Sequence, residues 1–508
     1  MDQVSAMMSA PPHRRERGDW RIGIIGAGFG GVGAAISLRQ AGFTDVTILE
    51  AADAPGGTWR DNRYWGAACD VPAHLYSFSF APNPDWSATF APQREILAHL
   101  QRTIRDFGLG ARIHYGCKVT AAGWDAARAR WRVELAHGEV REFDVLISAI
   151  GQLSRPRRPD IPGLSSFAGA AFHTAQWDES VPLAGKRIAL IGSAASAVQV
   201  APELAAQAAQ LTVFQRTPNW IVPRFNRPHS ALERFLFRHV PGARLAMRAA
   251  IYGIVDFAVY RGFRRDTPAH RLMTALAGWQ RRRQVADPAL RAKLTPDYPF
   301  GCKRMLLTDD YLPIFSRPTV ALVTEAITAI EPRGVRTADG VLHEADVLIY
   351  ATGFDLSEAL TAIDIIGAEG HQLRADWAEG AQGYLGTAVP HYPNFFTIYG
   401  PNTGLGHSSI LFMMECQFEL IRRVLTEATA RNADQVMVRP SATAQFNEAL
   451  QRDLASMVWS AGCQSWYTQG GKVTANWPGS TTAFARATKR APLADFIYLG
   501  HEINNGLG

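Results

Sequence analysis

The chain contains no Cys-x-x-Cys or Cys-x4-Cys pair; its 5 cysteines, Cys69, Cys117, Cys302, Cys416 and Cys463, are scattered along its length. That spacing excludes a redox-active dithiol, and sparse, unpaired cysteines suit a reducing cytoplasm. A long apolar run is missing too. The most apolar longer segment, Ala249 to Tyr260, is interrupted by Asp256 and flanked by Arg248 and Arg261, so it is too short to cross a bilayer and is expected to form a buried or interfacial helix. Nor does charge of one sign dominate: 52 Lys and Arg against 46 Asp and Glu leave +6, which gives no case for nucleic acid but allows a local site for a phosphorylated ligand. The first stretch, to Asp19, has Pro11, Pro12 and a basic cluster without an apolar core, and reads as a disordered N-terminal tail rather than a secretion signal.

What is present describes a globular protein with room for sizeable cofactors. At 508 residues, 47% hydrophobic and 19% charged, two or three domains are expected. Arg21 to Ile25 reads as a buried strand running into Gly26-Ala-Gly28-Phe29-Gly-Gly31 and a helix through Leu38. Gly26 permits the tight turn, Gly28 admits a pyrophosphate against the backbone, and Gly31 lets helix and strand pack closely, with the helix N-terminus facing the phosphates. The next strand, Val46 to Leu49, ends at Glu50, the position that grips a ribose hydroxyl. Gly57-Thr58-Trp59 follows with a second place for backbone to lie against a ligand.

The pattern repeats downstream. Lys186 to Ile191 is a strand, Gly192-Ser193-Ala194-Ala195-Ser196-Ala197 opens a helix, and the following strand ends at Gln215 before Arg216, 24 positions after Gly192 as Glu50 is 24 after Gly26. A cation where the first unit has an anion accommodates a 2′-phosphate, so the second nucleotide is expected to be NADPH rather than NADH. From Arg224 to Leu294 helix formers and arginine dominate, which reads as a helical insertion whose basic runs are solvated helix faces. The expected fold is α/β with two Rossmann-like dinucleotide-binding domains, FAD in the first and NADP in the second. The boundaries drawn are a tail over 1–19, FAD-binding segments 20–155 and 357–508, NADP-binding segments 156–223 and 302–356, and the insertion 224–301. No metal-ligand set stands out.

Three further motifs, in order, narrow the class. Phe167-x-Gly169-x-x-x-His173-x-x-x-Trp177-Asp178 resembles the signature of the Baeyer–Villiger monooxygenases, a branch of the class B flavoprotein monooxygenases; Gly57-Thr58-Trp59 through Asp70 resembles a second family motif, and Ala351-Thr-Gly353-Phe-Asp355 a third. The resemblance covers about residues 20 to 485. It implies that NADPH reduces FAD, that O2 adds to the flavin, and that the peroxyflavin converts a ketone to an ester or lactone. It further implies Arg304 as the active-site arginine with Asp70 as its partner, Lys303, Arg216 and Thr217 as NADP contacts, and Trp59 and Tyr76 on the flavin side. Gly169, His173 and Trp177 fall between the two nucleotide units and are expected to couple them rather than to move protons. The chain departs from the family at Trp65, where proline is usual, at Arg60 and Asp61, where aromatics are usual, and at Ala194 and Ala197 in the second turn. An N- or S-oxygenating flavin monooxygenase remains the alternative, and a non-catalytic NADP sensor would keep the turns without needing Arg304 or Asp70. Neither the ketone nor the oligomeric state is specified by these residues.

Overall fold

The computed structural model describes residues 15–355, 361–462 and 465–500. The strands β1 (Ile22–Ile25), β2 (Val46–Leu49), β3 (Ile113–His114) and β4 (Val145–Ser148) form a parallel sheet, joined beyond β4 by Phe395–Thr397. Helix α1 (Phe29–Gln40) starts three residues after β1 ends, with Gly28 as its N-cap. All four β1 residues are buried, as expected of a strand covered on both faces, and its Ile-Gly-Ile-Ile run shows no polar alternation. An antiparallel group, Val119–Asp125, Arg130–Leu135 and Val140–Phe143, packs Trp124 at a tilt against Trp131 and extends to Asp364–Ile366.

The second sheet is built from the same parts. Its strands are β5 (Ala170–His173), β6 (Arg187–Ile191), β7 (Gln210–Phe214), β8 (Val320–Val323) and β9 (Val347–Tyr350), all parallel, in the order β8-β7-β6-β9-β5. Helix α2 (Ala195–Gln207) follows β6. In both sheets the strand that runs into the glycine turn lies in the middle, between the strand that ends at the ribose position and the strand that closes the unit. That is the doubly wound arrangement, in which ligands sit at the carboxyl ends of the strands.

Between β7 and β8 the insertion forms α3 (Ala231–His239), α4 (Ala243–Gly253) with a π-helical continuation Ile254–Val259, α5 (Pro268–Gln284) and a short helix Pro288–Lys293. Thr267 and Asp287 cap the last two by accepting from backbone N–H groups, with proline in each first turn. Later in the chain α6 (Ile410–Ala430) lies against α1, where Phe418 so crowds Gly33 that a Cβ there would stand 2.5 Å from the ring. Two readings of the sequence change. The tail expected to run to Asp19 is docked from Arg15 onward: the Arg15 guanidinium pairs with Asp144 at 3.2 Å and Asp434 at 2.8 Å and stacks over Trp20 at 3.7 Å. Of the two possibilities for Ala249 to Tyr260, a buried or an interfacial helix, the buried one does not hold, since the helix turns its apolar side to solvent.

Candidate active site

The first glycine turn is held open by sterics. Gly26 has φ +104°, and a Cβ there would lie 2.7 Å from the carbonyl oxygen of Ala149; at Gly31 a Cβ would lie 1.9 Å from that of Gly26. Gly57, at φ +52°, brings its Cα against Gly28, where a Cβ would have 3.2 Å of clearance. The two glycine segments therefore face each other with bare backbone. Glu50 is buried at the end of β2, and its carboxylate accepts from the N–H groups of Ala27 at 2.8 Å and Ala52 at 2.9 Å. Arg60, one of the departures from the family pattern, donates to Glu50 at 3.0 Å and to Asp61 at 2.7 Å, so the unusual pair Arg60 and Asp61 is a salt-bridged brace for the acidic end of β2. Phe29, Trp59 and Tyr76 form an aromatic group at the start of α1: Trp59 Nε1 donates to the Tyr76 hydroxyl at 3.0 Å, and Tyr76 meets Phe29 edge-on at 5.8 Å.

The second turn shows why alanine suffices there. Gly192 needs its freedom, with φ +119° and a Cβ position only 2.3 Å from the carbonyl oxygen of Ala351. Ala194, by contrast, is exposed with φ −85°, and Ala197 is fully buried, its methyl filling space that Gly31 does not have. Ser193 Oγ donates to the Thr217 carbonyl at 3.0 Å, and Asn219 Nδ2 donates to the Ser193 carbonyl at 2.8 Å, pinning the turn to the segment after β7. Arg216 is exposed beside that segment. Lys303 faces it: burial, then the Arg216 charge, lowers the Lys303 pKa, and its ammonium sits over the Tyr298 ring at 4.8 Å. Two cations converging there, with Asp297 also within electrostatic reach of Lys303, form a place for an anion.

Arg304, next in the chain, belongs to the other side. Its Nε and Nη2 both donate to Asp70 Oδ2, at 3.1 and 2.5 Å. The Asp70 charge, outweighing burial, raises the guanidinium pKa still further above its ordinary value, so it is cationic at every working pH. The Arg304 side chain remains 41% accessible although it lies deep in the molecule, as a group lining an internal recess does. Three residues that no motif singled out share the recess. Arg224 donates to the Cys69 carbonyl at 3.0 Å and adds positive potential at Asp70, while Tyr399 and Tyr467 feel the Arg304 charge. Tyr399 holds φ +59°, an uncommon backbone for a bulky residue, fixed by its N–H donating to Gln417 Oε1 at 2.9 Å and by Gln152 Nε2 donating to its carbonyl at 3.0 Å. That strain is the signal a sequence cannot carry.

The stretch from Phe167 to Asp178 packs on the second sheet and against Trp65. Its strand β5 pairs with β9, placing His173 opposite Tyr350, just before the Ala351 to Asp355 motif. His173 is buried, its Nδ1 accepts from the Ala175 N–H at 3.0 Å, and burial lowers its pKa to about 4, so it is neutral at pH 7. Gly169 is required by close approach, since a Cβ would stand 2.3 Å from the Asp346 carbonyl oxygen. Trp177 is buried against Phe172 at 5.3 Å and against Trp65 at 5.7 Å. The Trp65 departure is thus matched to the signature tryptophan. On the same loop Tyr64 donates to Gln199 Oε1 at 2.8 Å and reaches Ser196, Gln199 Nε2 donates to the Ala68 carbonyl at 2.9 Å, and burial pushes the Tyr64 phenol up to about 12. The loop carrying Asp70 is therefore fastened to α2, the helix of the second turn. Cys69, Cys117 and Cys416 are free thiols, whereas Cys302 is disulfide-bonded, which the cysteine spacing did not announce. Cys463 lies outside the described residues. Among the described residues no cluster of His, Cys, Asp and Glu is arranged to hold a metal ion, and no helix is long and apolar enough to cross a membrane.

Two dinucleotide units with an acidic and a basic ribose position, and an arginine–aspartate pair between them, define an NADPH-dependent flavoprotein monooxygenase. Residues 23–233 match the pyridine nucleotide-disulphide oxidoreductase family. The chain is 41% identical over 482 residues to a Baeyer–Villiger monooxygenase of Streptomyces coelicolor, covering 94% of this chain and 92% of that one, and 37% identical to one of Pseudomonas aeruginosa, covering 96% and 93%. Among solved structures it is similar to an oxidized steroid monooxygenase bound to NADP, with a TM-score of 0.85 and 29% identity, and to the NADP+-bound cyclohexanone monooxygenase of Rhodococcus sp. Phi1, with a TM-score of 0.86 and 28% identity; each covers 95% of this chain and 99% of the other. The chain belongs to the Baeyer–Villiger monooxygenase family, and its cofactors are FAD and NADPH.

Proposed function

We propose that the protein inserts one oxygen atom from O2 beside the carbonyl of a small-molecule ketone, giving an ester or lactone. The observation that carries this reading is the divergence of two neighbouring cations: Lys303 faces Arg216, while Arg304 is drawn to Asp70. One short segment then addresses both cofactors. Segments 20–155 and 357–508 hold FAD, with Gly26, Gly28, Phe29, Gly31, Glu50, Gly57, Thr58, Trp59, Asp70 and Tyr76 on its side. Segments 156–223 and 302–356 hold NADPH, with Gly192, Ser193, Ala194, Ser196, Ala197, Arg216, Thr217 and Lys303. Bound NADPH supplies the hydride and bound FAD the oxygen-activating chemistry.

The chain's own groups do the rest. The bare backbones of Gly28 and Gly57 lie close against each other at the start of α1, and with no side chain on either they let a pyrophosphate approach the helix N-terminus. Arg216 and Lys303 hold the 2′-phosphate that distinguishes NADPH. Asp70 binds one edge of Arg304 and so fixes the plane of the guanidinium, leaving the remaining N–H donors to stabilise negative charge that develops on the ketone oxygen. Gly169, His173 and Trp177 position the two units rather than react, since His173 is buried and neutral.

The test is turnover of purified, flavin-loaded protein with NADPH, 18O2 and a panel of cyclic, aryl and long-chain ketones. One 18O atom in an ester or lactone supports the proposal. Sulfoxide or N-oxide products without any ester would replace it by N- or S-oxygenation.

A further inference from the structure

Helix α4 and its π-helical continuation reverse the usual amphipathic arrangement. The polar side points inward: Asp256 is buried and accepts from the N–H and hydroxyl of Thr481, both at 2.6 Å, and from the hydroxyl of Thr482 at 2.5 Å, while Arg248 donates to the carbonyls of His74 at 3.0 Å and Ser77 at 2.9 Å. The side facing solvent carries Leu245, Ala249, Ala250, Ile254, Phe257 and Ala258, a stripe of helical spacing with no charged residue in it. Leu245 is 69% exposed, Ile254 61% and Phe257 65%. The neighbouring helices continue the theme, with Leu232 and Phe235 exposed on α3, and Leu272 and Trp279 on α5. Single exposed apolar residues are ordinary, but a continuous stripe is the mark of a surface that something covers.

Charge says what covers it. Residues 224–294 hold fifteen Arg and Lys against four Asp and Glu, a net of +11 in a chain whose total is +6, so the remainder of the chain is net acidic. Three of the four acids face inward or are engaged: Asp256 is buried, Glu233 pairs with Arg227, and Asp287 caps the helix after α5. Arginines flank the apolar side chains, Arg261 over the Phe257 ring at 4.9 Å and Arg283 over that of Trp279 at 5.4 Å. A second copy docked face to face through the same stripe would bring cation against cation. An anionic lipid surface offers both complements at once, acyl chains for the stripe and headgroups for the arginines that reach out beside it. We infer that the insertion is a peripheral docking surface for anionic bilayers, with α4 lying flat in the headgroup region. The inference does not depend on which substrate is oxidised.

Flotation of the full flavin-loaded protein with vesicles tests it. Expected are binding to vesicles of equimolar phosphatidylcholine and phosphatidylglycerol, release by high salt, and little binding to phosphatidylcholine alone. The double substitution Ile254→Glu and Phe257→Glu should weaken binding to the anionic vesicles about 100-fold, at roughly tenfold per apolar side chain lost, and leave NADPH oxidation unchanged. Absence of wild-type binding to anionic vesicles would overturn the inference, whatever the variant does. So would a concentration-dependent dimer in light scattering that the same two substitutions dissolve, since the stripe would then belong to self-association.

Discussion

Replacing Arg304 by alanine should separate the two halves of the reaction. Among the described residues Nε and Nη2 of Arg304 are engaged, both by one oxygen of Asp70, and the far edge of the guanidinium is the edge that would serve a substrate oxygen. A unit charge about 4 Å from a developing anion is worth about 4 kcal/mol at an effective dielectric of about 20. Loss of one preorganised donor to an oxyanion is worth about 3–4 kcal/mol, so the two routes agree on a loss of roughly 100- to 1,000-fold in oxygen transfer. Reduction of the flavin by NADPH should change by less than about threefold, because Arg216 and Lys303 are untouched. Asp70 is left beside Arg224, so its carboxylate is not stranded and the fold should hold. Arg304→Lys, which keeps the charge but not the fork, should fall between wild type and alanine. Stopped-flow absorbance reads flavin reduction, and gas chromatography reads ester. If Arg304→Ala made ester at the wild-type rate, or if reduction fell in step with it, the division between Lys303 and Arg304 would be wrong.

Arg216→Ala and Lys303→Ala should each raise KM for NADPH about 10- to 100-fold and leave NADH kinetics nearly unchanged; equal losses with both nucleotides would remove the 2′-phosphate assignment. Gly31→Ala should yield protein without bound flavin, as its methyl would fall 1.9 Å from the Gly26 carbonyl oxygen, whereas Ala197→Gly should retain NADPH binding; flavin absorbance and nucleotide titration check the pair. Burial lowers His74, His99 and His173 to about 4 from an ordinary 6.5, so between those values the unfolded chain takes up protons that the folded chain refuses, and stability falls as pH drops through that window. Each contributes up to about 3 kcal/mol of acid lability at the bottom of the window. The slope of Tm against pH should be shallower in His99→Leu, and an unchanged slope would show that His99 is protonated in the folded protein.

What could be read from the sequence was what local rules govern. A strand, a glycine turn, a helix and a charged residue at fixed spacing are all contained in short stretches, so both nucleotide units were legible, including the sign of the residue at each ribose position. The Arg304 and Asp70 pair was legible only through resemblance, because 234 residues separate them and no periodicity brings them together. Arg224 and Tyr399 were not legible at all, and Tyr467 only as part of the loop Cys463 to Tyr467 expected to shape the substrate pocket: they reach the recess through the fold, and the positive φ of Tyr399 is held by Gln417 and Gln152. The outward stripe on α4 was invisible for a related reason. Amphipathicity gives the period of a helix but not which side faces in, and here Asp256, bonded to Thr481 and Thr482, decides it.

The signature stretch between the two units gains its meaning from what it touches. His173 lies on the edge strand beside the Ala351 to Asp355 motif, and Trp177 lies against Trp65, which shares a loop with Tyr64 and Asp70. Tyr64 in turn is bonded to Gln199 on the helix of the second turn. One end of the stretch thus lies beside the Ala351 to Asp355 motif and the other against the loop that leads to Asp70, and the tryptophan at position 65 meets another large flat ring, Trp177. A displacement of the second unit would pull on Gln199 and Trp177 together and reach Asp70 through a single short loop. The stretch therefore need not approach the substrate to matter. Its contacts run through Trp65 and the loop of Tyr64 to the segment that carries Asp70, whose carboxylate accepts from both Nε and Nη2 of Arg304.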